Sequence, residues 1–225
     1  DVAEGENITS LDITDIDAVM TLALDKKPDV IINCAALTNV DGCEKMWDLA
    51  YKINAIGPRN LAIAATTVGA KLVHVSTDYV FAGTERAPRT EFDEPNPISA
   101  YGKTKLEGED FVRQFAEKFF ILRTAWLYGD GKNFVKTMVR ASKTHDEVSV
   151  VCDQFGSPTS AVELAKMFGG EDSGSFVNGI LGKIASGKKE TGEAPKKRRP
   201  AHQAKIIIRS SKKASGESET EESSN

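Results

Sequence analysis

An α/β fold on an open, doubly wound parallel sheet is what this 225-residue sequence predicts, and three observations carry it. Two β-branched runs of strand length, Asp29-Val30-Ile31-Ile32-Asn33-Cys34-Ala35-Ala36 and Lys71-Leu72-Val73-His74-Val75-Ser76-Thr77, lack polar alternation, as strands covered by helices on both faces do. Stretches with apolar residues at helical spacing separate them. Polar residues gather just past the carboxyl ends of the strands, where open α/β sheets bind their ligands.

Taken in order, Leu11-Asp12-Ile13-Thr14-Asp15 reads as a strand end running into a helix, with Thr14 or Asp15 as N-cap. Ile16, Val19, Met20, Leu22 and Ala23 keep helical spacing until Pro28 stops it. After the first strand come helical stretches at about 43–51 and 55–68, the second closed by Gly69-Ala70, with Asn54 suited to cap it. The second strand ends on Asp78-Tyr79-Val80-Phe81. A polar loop with Pro88, Pro95 and Pro97 leads to a helix that runs from about Ser99 to Glu117. A third strand, Phe119–Thr124, enters Trp126-Leu127-Tyr128-Gly129. A helix at about 133–142 and a strand at 148–152 follow, the latter read as a further member of the parallel sheet.

Composition narrows the function. The net charge is −4, but residues 169–225 hold 11 of the 29 basic and 8 of the 33 acidic residues, so the preceding part is distinctly acidic. An acidic compact part without a basic stripe argues against nucleic acid as partner. No apolar run is long enough to span a membrane, and Asp1–Glu6 has no signal-peptide character. Cys34, Cys43 and Cys152 are odd in number and without metal-ligand spacing, as in a cytoplasmic protein with reduced thiols and no metal. Residues 1–168 are expected to form the sheet domain. Residues 169–185 read as a weakly structured connection, and 186–225 as a disordered low-complexity tail.

Tyr101 and Lys105 supply candidate chemistry. At i and i+4 on a helix they share one face. A cation about 4 Å from a phenol, at an effective dielectric of ~20, would lower its pKa by about three units and make it a general acid near neutrality. Tyr128 and Lys132 repeat the spacing, but Gly129-Asp130-Gly131 between them is turn chemistry. Ala36-Leu37-Thr38, Ser76-Thr77-Asp78 and Thr124-Ala125-Trp126 all lie past strand ends, at the edge where the Tyr101 helix begins, and this context selects Tyr101.

Asn33-Cys34-Ala35-Ala36, Asn54-Ala55, Ser76-Thr77-Asp78-Tyr79-Val80-Phe81 and Tyr101-Gly102-Lys103-Thr104-Lys105 resemble the extended short-chain dehydrogenase/reductases. Leu11-Asp12-Ile13-Thr14-Asp15, Ala50-Tyr51-Lys52-Ile53-Asn54-Ala55-Ile56-Gly57-Pro58 and Arg123-Thr124-Ala125-Trp126-Leu127-Tyr128-Gly129 look like the dTDP-4-dehydrorhamnose reductase family among them. The resemblance covers about residues 8–168. It implies a Rossmann-like fold and reduction of a nucleotide-sugar 4-ketone by NADPH or NADH. By motif, Tyr101 would be the proton donor, Lys105 would lower its pKa and bind the nicotinamide ribose, and Thr77 would polarise the carbonyl. Asp12 and Ile13 would flank the adenine, Ala36, Leu37 and Thr38 would line the cofactor, and Asp78 and Trp126 would touch the sugar nucleotide.

The family pattern also implies a strand, a glycine-rich turn and a helix ahead of Leu11 to hold the pyrophosphate. The sequence carries no such turn there, so the fold is expected to be truncated at the amino terminus and to bind cofactor poorly. Nor is the family's carboxyl-terminal substrate lobe recognisable after Phe168. The alternative reading is a non-catalytic, reductase-like subunit similar to the regulatory subunit of methionine adenosyltransferase. The oligomeric state is not legible.

Overall fold

The computed structural model describes residues 9–85, 87–129, 133–151, 154, 156–169 and 203–207. They fall into two units. The first holds the described residues up to Phe134 and again from Gln154 to Gly169.

Helix α1 (Ile16–Lys26) starts where the Asp15 carboxylate accepts from Asp17 N and Ala18 N, and ends at Lys27 in the left-handed region. The expected strand end before it is instead a turn. Asp12 Oδ1 accepts from Thr14 N at 2.9 Å and from the Thr14 hydroxyl at 2.8 Å, and a backbone bent by its own side chain does not extend into a ladder. Strand β1 is Val30–Asn33, shorter than predicted because Asn33 Oδ1 takes the Ala35 N–H and bends the chain beyond it. β1 is half exposed, with no strand on its outer edge among the described residues, so it lacks the two-sided burial that its apolar run suggests.

Helices α2 (Val40–Lys45) and α3 (Trp47–Tyr51) lead into a π-helical turn, Lys52–Ile56, that continues directly into α4 (Gly57–Val68). Asn54 is therefore within a helical run and does not cap one. Gly69 at φ 75° closes α4. Strand β2 (Lys71–Thr77) runs parallel to β1 and to β3 (Phe119–Thr124), giving the order β1-β2-β3 with β2 central. Between them lie a 3₁₀ turn, Asp78–Val80, and helix α5 (Ala100–Phe115). A two-stranded parallel ladder, β4 (Leu127–Tyr128) with β6 (Thr159–Ser160), and helix α7 (Ala161–Gly169) complete this unit. The α/β class with a parallel, Rossmann-like sheet is the one that the sequence predicts.

The second unit holds most of α6 (Phe134–Ala141), β5 (Glu147–Val151) and β7 (Gln203–Ile207). The predicted strand at 148–152 is thus no member of the parallel sheet. It pairs antiparallel with Gln203–Ile207, inside the stretch read as a disordered tail. That tail is not uniform: the ladder strand carries the β-branched pair Ile206-Ile207 within polar surroundings. The remainder of 170–225 lies outside the described residues.

The core of the first unit joins Val19 and Ala23 of α1, Leu61, Ala62, Ala64 and Ala65 of α4, Leu72 of β2 and Val112 of α5. Its many alanines let the helices approach closely. Contact is closest along α5, where a Cβ on Gly108 would collide with Asn54 O and one on Gly102 with Tyr79 O. Glycine there is a steric requirement.

α5 is also fastened by charge. Glu109 is fully buried and accepts from Ser76 Oγ at 2.6 Å, Arg113 Nη2 at 2.8 Å and Arg123 Nη2 at 2.7 Å. Burial would raise its pKa, but the bonds from Arg123, Ser76 and Arg113 outweigh that and hold it below the ordinary value. Its stabilising contribution is therefore present above that value and lost as pH falls through the lowered one.

Gly108→Ala should destabilise the fold by about 1–3 kcal/mol, because Asn54 and Gly108 are both on helical backbone and cannot yield cheaply; chemical denaturation measures it. Glu109→Gln leaves two guanidinium groups facing a neutral amide and should cost about 3 kcal/mol at neutral pH. That difference should shrink on acidification, first as the unfolded glutamate takes its proton below about 4.5 and fully once the folded carboxylate does, which denaturation midpoints followed from pH 7 into the acid range would reveal.

Candidate active site

The candidate residues gather at the carboxyl end of the sheet. Thr77 ends β2 and is paired in register with Thr124 at the end of β3. Both sit where the backbone turns out of the ladder: the Thr77 hydroxyl donates to Asp78 Oδ1 at 3.1 Å and accepts from Tyr79 N at 3.2 Å. That local turn places Asp78 and Tyr79 beside the start of α5.

α5 is held at its first turn from two sides. The Ser99 hydroxyl accepts from Gly102 N at 3.0 Å, and the Glu44 carboxylate accepts from Ala100 N at 2.7 Å. Two of the donors at this helix start, Ala100 N and Gly102 N, are thus engaged, and Tyr101 is the second residue of the helix. Its ring meets Tyr79 edge-on at a centroid distance of 5.6 Å and packs on the cluster of Cys43, Ala50, Ala100 and Leu37.

The phenol does not behave as the sequence suggests. Its pKa is pushed up to about 12, by burial first, with Asp78, Cys43 and Tyr79 adding to the rise and the Thr77 hydroxyl opposing it. Lys105 does not lower it here. The Lys105 Nζ, 1% exposed, donates to Val75 O at 2.7 Å and stands 3.3 Å from His74 Nε2. Burial pushes this ammonium down to about 8, against the pull of Glu109 and Cys34. The i, i+4 spacing holds, yet a long flexible side chain takes the Val75 carbonyl of β2 in preference to the phenol. Tyr101 is protonated across the physiological range, which a proton donor requires.

Asn54 is the residue whose position the sequence left open. Fully buried in the π-helical turn, it accepts from Leu37 N at 2.8 Å and donates to Leu37 O and to Thr104 Oγ1, each at 3.1 Å. One amide thereby locks the Ala36-Leu37-Thr38 loop to α5. A buried asparagine inside a helical run, with nothing local to bond, is a signal that could have found it.

The other candidates are spread more widely. Ile13 packs on Gly57, and its carbonyl accepts from Asn60 Nδ2 at 3.0 Å, so Asp12 and Ile13 sit at α4. A shallow groove of about 450 Å³, lined by Thr9, Leu11, Ala18 and Leu22 among others, lies next to them in sequence and contains none of Thr77, Tyr101 and Lys105. Asp78 is half buried and its pKa is raised, by burial foremost. Trp126 is 48% exposed in the left-handed region at φ 45°, with its indole over Gly156. A bulky residue in that conformation is strained and is held by its surroundings: Ala125 O accepts from Thr159 N at 3.0 Å. The structure thus gathers Leu37, Thr77, Asp78 and Tyr101, sets Lys105 beneath them against β2, and leaves Asp12, Ile13 and Trp126 on separate segments. Among the described residues no group of three His, Cys, Asp or Glu could hold a metal ion, and no helix is long and apolar enough to cross a membrane.

Comparison with known proteins places the fold. The model of the RmlD substrate binding domain matches residues 2–170, while that of the NusB family matches only the short stretch 157–186. The dTDP-4-dehydrorhamnose reductase of Mycolicibacterium smegmatis is 44% identical over 170 residues, 72% of this chain and 51% of its own. A crystal structure of a dTDP-4-dehydrorhamnose reductase from Clostridium acetobutylicum is 64% identical, with a TM-score of 0.68 over 70% of this chain and 56% of that one. That of the Bacillus anthracis reductase in complex with NADP is 49% identical, with a TM-score of 0.68 over 76% and 59%. The chain spans about half the length of the curated relatives it matches.

Between pH 8 and the ordinary value of 10.5 the unfolded chain keeps the Lys105 proton and the folded chain does not. The Lys105 contribution to stability therefore grows as pH rises through that window and is lost as pH falls through about 8. Lys105→Met should flatten the rise in denaturation midpoint over this range relative to the wild type; parallel curves would refute the assignment.

Proposed function

The chain belongs to the RmlD substrate binding domain family, and from that premise we propose that it serves in the NADPH- or NADH-dependent reduction of the 4-keto group of dTDP-4-dehydro-L-rhamnose to dTDP-L-rhamnose. The observation that carries the reading is the joint placement of Thr77, Asp78 and Tyr101 at the carboxyl end of a parallel sheet, with Lys105 on the same helix. The relatives named as dTDP-4-dehydrorhamnose reductases support it.

The donor set fits a ketone and a ribose. Tyr101 and Thr77 are hydroxyl donors at the carboxyl end of the sheet, and Lys105, a cation once protonated, lies along β2. A bound nicotinamide supplies hydride; everything else falls to the protein. The Thr77 hydroxyl donates to the carbonyl oxygen as negative charge builds there, releasing its bond to Asp78. Tyr101, protonated at neutral pH, gives its phenolic hydrogen to the same oxygen. Lys105, once it turns from Val75 O toward the phenol, stabilises the phenolate left behind. Ala36, Leu37 and Thr38, anchored through Asn54, form a wall for the cofactor. Asp12 and Ile13 serve the adenine end, and Asp78 and Trp126 the sugar nucleotide. In this reading residues 1–168 act as a Rossmann-like, dinucleotide-binding part.

Tyr101→Phe should lower turnover of the 4-keto sugar nucleotide by about 10²–10⁴-fold while leaving cofactor affinity nearly unchanged. Steady-state rates with NADPH and NADH, beside cofactor titrations followed by nicotinamide fluorescence, separate the two effects. Equal turnover by the phenylalanine variant would remove Tyr101 from the reaction.

A further inference from the structure

Lys105 ends a buried chain, Asn33–His74–Lys105, whose other two members have no part in the proposed reaction. All three are nearly inaccessible, at 3%, 0% and 1% exposure. Asn33 and His74 are Cα partners across the β1–β2 ladder, so the backbone itself sets their contact.

Donors and acceptors in this chain can be assigned one by one. The Ala35 N–H donates to Asn33 Oδ1 at 3.0 Å, which leaves the Asn33 Nδ2 amide to face His74 Nδ1, also at 3.0 Å. Nδ1 must then be the bare acceptor, and a neutral imidazole carries its hydrogen on Nε2. Burial above all keeps His74 from charging near neutrality. Nε2 stands 3.3 Å from Lys105 Nζ. An ammonium has three donors and no acceptor, so an ammonium here would set N–H against N–H. A neutral amine removes the conflict: it accepts from His74 Nε2–H and donates to Val75 O.

We propose that His74 is a positioning residue for Lys105: held by Asn33 at Nδ1, it keeps the lysine parked as a neutral amine against β2, and proton uptake by Lys105 breaks that contact and frees the side chain for the carboxyl end of the sheet. The inference rests on the reductase reading in assigning a use to the released ammonium. Other charged and titratable groups bear on the balance. Glu109 from α5 and Cys34 after β1 favour the ammonium. Arg123 of β3 is engaged with Glu109. Tyr101 lies one turn earlier on α5. Protonation and position are thus coupled, since the charged lysine cannot keep the hydrogen bond of the neutral one.

Nuclear magnetic resonance of the ligand-free protein, labelled in its histidines and lysines, tests this. His74 should be the Nε2–H tautomer, stay neutral down to pH 6, and shift again at the Lys105 midpoint near 8. His74→Gln offers an oxygen that accepts from an ammonium, so the Lys105 midpoint should move upward toward 10.5. An Nδ1–H tautomer, an imidazolium at pH 6–7, or an unmoved Lys105 midpoint in the variant would overturn the proposal. If the glutamine variant does not fold, the wild-type tautomer and titration decide. No cofactor enters this measurement, so failure to bind a nicotinamide dinucleotide would count against the reductase reading alone.

Discussion

Glu109 is the point through which the rest of the structure is held. Its carboxylate gathers Ser76 from β2, Arg123 from β3 and Arg113 from its own helix in a site without solvent. Three elements that diverge in sequence are thereby fixed at one pair of oxygens. α5 cannot slide along the sheet without parting the buried Glu109 carboxylate from Arg123 and Ser76, and a stranded buried charge costs more than most local packing can return. Because Tyr101 and Lys105 are two turns and one turn before Glu109, their depth over the sheet follows from that clamp. Arg123 also stacks at 5.1 Å on Phe81, which carries the restraint on to the loop after the 3₁₀ turn.

What could be read in the sequence was what periodicity and chain chemistry determine locally. The three parallel strands, the Ser99 start of α5, the Gly69 stop of α4 and the gathering of polar groups past the strand ends are all present. The partnerships of buried polar groups were not legible. Lys105 looked like a neighbour of the Tyr101 phenol because helix spacing reports which face a Cα lies on, but says nothing of where a four-carbon stem ends. His74 and Val75 claimed its nitrogen, and both are on another element. Strand β5 illustrates the same limit. Its apolar run was visible, but an antiparallel partner some fifty residues away, inside a polar stretch, leaves no periodic trace.

Asn54 and Asn33 show a division of labour among the amides of this fold. Each accepts with its oxygen and donates with its nitrogen, and each joins a loop after β1 to something distant. A carboxylate could not donate and an ammonium could not accept, so only an amide completes both sets of bonds without adding charge to a buried place. The loop Ala36-Leu37-Thr38 is held at Leu37 by such a neutral group.

The π-helical turn at Lys52–Ile56 carries a residue more than a regular helical turn would. Removal of a single residue there would restore ordinary winding and leave α4 facing the core as before, because the wide turn sweeps one full turn with one residue more. Leu61 and Ala65 would keep their places, but Asn54, which lies in the turn, would lose Leu37. The extra residue thus serves the loop after β1 and not the packing of α4.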